Sequence, residues 1–254
     1  MSQPPGTGES WQRPPADLSL PPGEVHVWRI FLDQALPAHH HEFAALLSED
    51  EAARAARFRF ERDRRRFITA RAAFRTILAR YQGFEPQALR FDYNAYGKPS
   101  LKAEFGGHAL GINMAHSQDL ALCAVVRGRE LGIDLEQVRA LADMEAIAQR
   151  FFSPSECAAL KSLPEGEKCE AFYNCWTRKE AFIKACGEGL SMPLDSFEVT
   201  LAPGAAAKLL SVEGDPQKAA LWSLAALTPA DGYAAALVVE GRSDWRLACW
   251  QWTA

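Results

Sequence analysis

Two pairs of residues stand at spacings that aim side chains at a common point. In GIDLEQ (132–137), Asp134 and Glu136 are two apart in an apolar, strand-like run, and alternate positions on a strand share a face. In WTRKEAFIKACGEG (176–189), Glu180 and Lys184 are four apart in a helix-like run and also share a face, with Trp176 one turn earlier on the same stripe. Leu131, Ile133 and Leu135 fall on the opposite face of the strand, which would fix it against a core and hold both acids rigidly. Two or three carboxylates are enough for a hard cation such as Mg2+, which takes few oxygens from protein and leaves the rest to phosphate and water. A lysine beside such a site can neutralise charge that builds up in a transition state. Taken alone, a D-x-E is most often a pair of solvated acids, and a Glu–Lys pair on a helix is a surface ion pair worth about 0.3–0.5 kcal/mol. Trp176 argues against that second reading, because its ring shields the stripe from water.

Other groups suit an anion. His116 and Ser117, in NMAHS, sit just before an apolar strand, where donors can reach a bound ligand. YGKP (96–99) is a turn, with Gly97 permitting unusual backbone angles and Pro99 biasing Lys98 to extended geometry. Residues 54–80 hold ten arginines against only Glu61 and Asp63, on a chain of net charge -4. Such a local positive region suits an anion smaller than a nucleic acid. Of these arginines, Arg66 and Arg75 stand beside an apolar helical stripe and are placed to line a cleft.

The elements that must position these residues can be read from periodicity. EVHVWRIFLD (24–33) alternates as a strand; a helix follows, then a second with a serine cap at Ser48. Residues 62–83 form a long amphipathic helix closed by Gly83, with Phe67, Ala70, Phe74, Ile77 and Tyr81 facing a core. LRFDYNAYGKPSL reads as strand, tight turn, strand, and residues 111–138 supply two or three more strands. The order then repeats: a shift of 105 residues places Ser48 on Ser153, Glu51 on Glu156, Phe67 on Phe172 and Arg75 on Glu180. The expected fold is therefore α+β, two similar halves (24–128 and 129–254) behind a flexible tail (1–23), with a cleft between them that is basic on one wall and acidic on the other. The six cysteines show no metal-ligand spacing, as in a reduced, cytoplasmic protein. No signal-peptide core and no apolar run of about 18 residues occurs, so neither export nor a membrane span is expected.

With these residues assembled, the chain resembles the Sfp-type 4'-phosphopantetheinyl transferases from about residue 25 to 240. Gly132-Ile133-Asp134-Leu135-Glu136 matches the family's G-[IV]-D-x-E strand, and Trp176, Lys179, Glu180, Ala181 and Lys184 match its W-x-x-K-E-[AS]-x-x-K helix. YGKP matches a family turn, and INMAHS matches a motif usually ending Ser-His-Ser, from which Ala115 departs. The resemblance implies a fold of two α+β halves with coenzyme A between them. It implies that Asp134, Glu136 and Glu180 bind Mg2+ with the coenzyme A pyrophosphate, that Lys184 contacts that pyrophosphate, and that His116, Ser117, Arg66 and Arg54 serve the cofactor's phosphates. The Tyr96, Gly97, Lys98, Pro99 turn would receive adenine by its backbone, and Glu156, in RFFSPSE, would assist near the metal. A family lysine position falls on Glu51. The implied reaction moves the 4'-phosphopantetheine arm to a serine of an acyl or peptidyl carrier protein of fatty acid, polyketide or non-ribosomal peptide assembly, releasing 3',5'-ADP, with a monomer sufficing. The residues by themselves leave open a Mg2+-dependent phosphohydrolase or nuclease, and a coenzyme A or nucleotide-binding module without catalysis, its carboxylates merely solvated.

Overall fold

The structure is a computed structural model that describes residues 10–34, 39–242 and 244–253. The first half runs β1 (Glu24–Phe31), α1 (His39–Ala45), α2 (Glu49–Ala56), α3 (Glu61–Gln82), β2 (Phe91–Tyr93), β3 (Pro99–Leu101), β4 (Leu110–Ser117) and β5 (Leu120–Arg127). The second runs β6 (Leu131–Gln137), α4 (Met144–Phe151), α5 (Pro154–Ser162), α6 (Glu165–Cys186), β7 (Phe197–Val199), β8 (Leu209–Val212), α7 (Pro216–Ala219), β9 (Trp222–Leu227), β10 (Tyr233–Glu240) and β11 (Arg246–Gln251). One sheet has the order β11-β1-β5-β4 and the other β6-β10-β9. In the first half β1 pairs antiparallel with β5, which pairs antiparallel with β4; in the second β6 pairs likewise with β10, and β10 with β9. The fold is α+β and its halves are alike.

Alternation along the strands decides the layers. On β1, Trp28 and Ile30 face α3, while Val25 and Val27 face the other sheet together with Leu131, Ile133 and Leu135 of β6. On β10, Ala236 and Val238 face α6. The order is thus α3, sheet, sheet, α6, with an apolar cluster in each gap. The stripe expected on α3 holds: Ala70, Phe74, Ile77 and Tyr81 are buried and Phe67 is half-buried. Gly83 and Gly187 close α3 and α6 in the left-handed conformation, where a side chain would be strained.

Three expectations are corrected. Residues 10–23 are not a loose tail: Gln12 hydrogen-bonds Cys249 and Gln251 along β11, and Leu18 and Leu20 pack into the first core. Residues 1–9 lie outside the described residues. β11 leaves the second half to lie parallel to β1, so a division at residue 128 does not hold for the last strand. The repeat also changes phase. The caps Ser48 and Ser153 are 105 apart, but the closing glycines 83 and 187 are 104 apart, so Arg75 corresponds to Lys179 and not to Glu180.

That correspondence is visible in the core. Glu51 reaches back to the Ser48 N–H and accepts from Arg75 Nε at 2.6 Å; Glu156 reaches back to the Ser153 N–H and pairs with Lys179 Nζ at 2.7 Å. Both cations stand over a phenylalanine ring, Phe91 and Phe197. Arg75 is 1% exposed and takes Pro86 and Leu89 carbonyls, so it lines no cleft; its charge is committed inside the first half.

The second sheet is pinned to its helix at Gly132. A Cβ there would lie 2.1 Å from the Ala181 carbonyl oxygen and 2.3 Å from the Ala185 nitrogen, both backbone atoms. Gly132→Ala should therefore push α6 off β6 and lower stability by about 1–3 kcal/mol, read as a fall in denaturant midpoint. An unchanged midpoint would show that the helix yields without cost.

Candidate active site

The acids of β6 lie at the seam between the halves. Gly132, Asp134 and Glu136 point to the α6 side of the strand, whose other face is buried against the first sheet. The free edge of β6 runs beside β4, and side chains of β4 take its backbone groups: Asn113 accepts from Ile133 N at 2.9 Å, and Ser117 accepts from Gln137 N at 3.2 Å. The Ser117 hydroxyl also donates to Glu136 at 2.7 Å, so a residue of one half orients a carboxylate of the other.

From α6 come Glu180 and Lys184, both half-buried and one turn apart. Lys184 Nζ donates to Asp134 Oδ1 at 2.6 Å, while Asp134 Oδ2 is buried and has no hydrogen-bond partner. Burial pushes the Asp134 carboxyl up to about 6 against the attraction of Lys184, and the charges of Glu180 and Glu136 add to the rise. Burial likewise raises Glu180, with Glu136 adding repulsion. The three acids thus feel one another, and one ammonium does not balance them.

His116 faces the same cluster from the end of β4. Crowding by surrounding protein, then the positive charges of Lys184 and Arg54, hold it below the usual imidazole value although part of the residue stays open to solvent. Its neutral ring can donate one N–H to a phosphate. Beside it opens a cavity of about 350 Å3 lined by Arg62, Arg66, Phe67, His116 and Gln118. Arg66 grips both oxygens of Asp33 there, from Nε at 2.8 Å and from Nη2. Arg54 is exposed and stacks on Phe67.

Six expected residues therefore meet: Asp134, Glu136, Glu180, Lys184, His116 and Ser117, with Arg54 and Arg66 adjoining. The turn at 96–99 lies further along the seam, past the C-terminal end of α6. Asn94 accepts from the N–H groups of Tyr96 and Lys98 and donates to the Gly187 carbonyl, while Lys98 Nζ holds Glu130 and the Ala185 carbonyl. Those N–H groups and that ammonium are occupied, and the Lys98 carbonyl accepts from Asn94 N, which leaves the Tyr96 and Gly97 carbonyls and the exposed Tyr96 ring for a ligand. Glu156 is not in the cluster. Its oxygens take Ser153 N, Val199 N and Lys179 in the core of the second half, so the expected assistance gives way to a structural task. Asn113, Asp33, Arg62 and Gln118 were not expected here. Asn113 could have been found as the one amide inside an apolar strand, and Arg62 as the residue one turn before Arg66.

Among the described residues no three His, Cys, Asp or Glu side chains are drawn together closely enough to hold a metal ion as they stand. The donor set nevertheless fits a hard cation: three oxygen-only groups, mutually repelling, one presenting a buried oxygen without a partner. No helix among the described residues is long and apolar enough to cross a membrane.

Residues 130–238 match the family model described as the 4'-phosphopantetheinyl transferase superfamily, and residues 34–127 match that of the 4'-phosphopantetheinyl transferase N-terminal region. The 4'-phosphopantetheinyl transferase HetI of Nostoc sp. is 44% identical over 243 residues, which cover 96% of this chain and 98% of that one. The 4'-phosphopantetheinyl transferase Sfp of Bacillus subtilis is 32% identical over 178 residues, covering 70% of this chain and 77% of the other.

Proposed function

The chain belongs to the 4'-phosphopantetheinyl transferases, enzymes that load carrier proteins with phosphopantetheine, and from that premise we propose how its seam performs the transfer. Coenzyme A lies across the seam with its diphosphate at Lys184, its adenine at the turn 96–99, and its 3'-phosphate near His116, Arg66 and Arg54. Asp134, Glu136 and Glu180 would hold Mg2+. The single observation that carries this reading is the crowding of three acids around one ammonium, with Asp134 Oδ2 buried and unpartnered.

The reaction joins a carrier serine oxygen to the β-phosphorus of coenzyme A and breaks the bond from that phosphorus to the bridging oxygen, so that 3',5'-ADP leaves. Mg2+, when bound, supplies Lewis-acid neutralisation of the diphosphate charge. Lys184 meets the negative charge growing on the departing oxygen, which is most of what phosphoryl transfer asks of a protein. The serine proton passes to Glu180 or to a water that the metal would hold. Ser117 keeps Glu136 aimed, and neutral His116 donates to a phosphate oxygen. The substrate is a serine-bearing carrier domain, and one chain contains both walls of the seam, so a monomer suffices.

Mixing the protein with coenzyme A, Mg2+ and an apo carrier protein, then weighing the carrier, tests this directly. A gain of one phosphopantetheine arm, abolished by a chelator and restored by Mg2+, is the expected result. Release of inorganic phosphate or cut nucleic acid without any gain would overturn it in favour of a hydrolase. Lys184→Ala should lower kcat about 10²-fold; an unchanged rate would remove its role at the leaving oxygen.

A further inference from the structure

The hairpin turn between β4 and β5 has two residues, Gln118 and Asp119, between Ser117 and Leu120. Gln118 has φ 53°, in the left-handed region that such short turns use and that glycine or asparagine usually fills. A glutamine there is strained, and strain of this kind persists only where the surroundings hold it. The turn carries much of what the first half brings to the seam. His116 and Gln118 line the cavity beside it, and the Ser117 hydroxyl donates to Glu136 while accepting from Gln137 N. A displaced turn would therefore release the carboxylate of Glu136.

Both halves hold it. Leu32 N, just past the end of β1, donates to the Asp119 carbonyl at 2.7 Å. From the second half the Tyr233 hydroxyl, at the start of β10, donates to Asp119 Oδ1 at 2.6 Å and lies 3.4 Å from the Ser117 carbonyl. Burial, then the hydrogen bond to Asp119, hold this phenol above its ordinary value, so it keeps the proton it donates. Tyr233 is itself tethered. Arg29 Nη1 donates to the Pro229 carbonyl at 2.6 Å and Trp11 Nε1 to the Thr228 carbonyl at 3.3 Å, which fastens the preceding loop to the first half. Strand register sets Tyr233 opposite Gln137. The paired residues thus grip the turn together, Gln137 by its N–H on Ser117 and Tyr233 by its hydroxyl on Asp119.

We propose that Tyr233 is a positioning residue for the metal site, acting through the strained turn: its clip on Asp119 holds Ser117 where Ser117 aims Glu136 at the cation. Tyr233 makes no hydrogen bond to Asp134, Glu136 or Glu180 among the described residues, so its effect passes through the backbone of 117–119. The proposal rests on the transfer reading only for the identity of the ligand, Mg2+ with the coenzyme A diphosphate.

Tyr233→Phe removes one oxygen and keeps the ring. Calorimetric titration of Mg2+ into the whole chain with coenzyme A present should show binding about tenfold weaker than in the wild-type protein, the scale of loss when an outer partner of a metal-binding group is removed. In the ligand-free protein, amide hydrogen exchange at 117–120 should quicken about tenfold. In carrier loading, half-saturating Mg2+ should rise by the same factor while kcat at saturating Mg2+ falls by less than about threefold. Asp119→Ala removes the acceptor instead and should weaken Mg2+ as much, with no further loss in the double variant. Faster exchange with unchanged Mg2+ affinity would make Tyr233 a structural clip alone and overturn the proposal, as would no change in either. If Tyr233→Phe bound Mg2+ more weakly than the wild-type protein, yet neither moved an arm to the carrier, the transfer reading would fail and the positioning role would stand.

Discussion

Asp134→Asn is expected to lower the transfer rate by roughly 10³-fold or more, about 4 kcal/mol of transition-state stabilisation, and at the same time to raise the melting temperature of the ligand-free protein. Both follow from one carboxylate. In the proposed mechanism it would supply an anionic oxygen to Mg2+, and without a metal it is a buried charge whose pKa stands at about 6 against an ordinary 3.8. Between those values the folded protein holds a proton that the unfolded chain has released. Stability is therefore highest below the ordinary value and falls as pH rises through about 6, after which the penalty is constant at about 1–3 kcal/mol. The asparagine variant lacks this slope and should melt higher at pH 7.5 but not at pH 3.5. Melting curves across pH, set beside carrier mass spectra, check both halves of the claim. A variant that is inactive because it is less stable would sink it.

The second large effect lies away from the chemistry. Lys179→Met should cost about 3–5 kcal/mol, because it leaves Glu156 as an unpaired charge in the core, and it removes the donor to the carbonyls of Leu194 and Phe197. Glu156→Gln in the same chain should recover part of that loss, since an amide is less costly to bury alone. Urea titrations of the two single variants and the double variant give the coupling. If Glu156→Gln instead left stability untouched and stopped transfer, Glu156 would belong to the reaction after all.

Much of the seam was legible because chemistry and periodicity agreed. Asp134 and Glu136 read as facing acids because leucine and isoleucine alternate with them, and Glu180 and Lys184 read as neighbours because a helix turns every 3.6 residues. What periodicity cannot supply is depth. Glu51 and Glu156 look like the outward acids of an N-terminal helical turn, yet the capping box that each forms draws it into the core, where Arg75 and Lys179 wait. The phase change between the halves was hidden by a gap-free comparison, because a single residue in the link before α3 shifts the whole following helix. The path of β11 was illegible for another reason: alternation in RLACWQ marks a strand but says nothing of its partner. Trp11, Leu18 and Leu20, scattered among prolines, gave no period at all, though each finds a place against the sheet edge or the core.

That last strand decides how many open borders the two halves share. Twofold likeness would give two equivalent borders, one where β4 meets β6 and a twin where β9 would meet β1. β11, strapped by Gln12, fills the twin border along β1, and the positions of β1 that mirror the acids of β6 are closed by Trp28 and Ile30. Among the described residues the returning strand thus leaves one open border between the halves, the one at which Asp134, Glu136 and Lys184 stand.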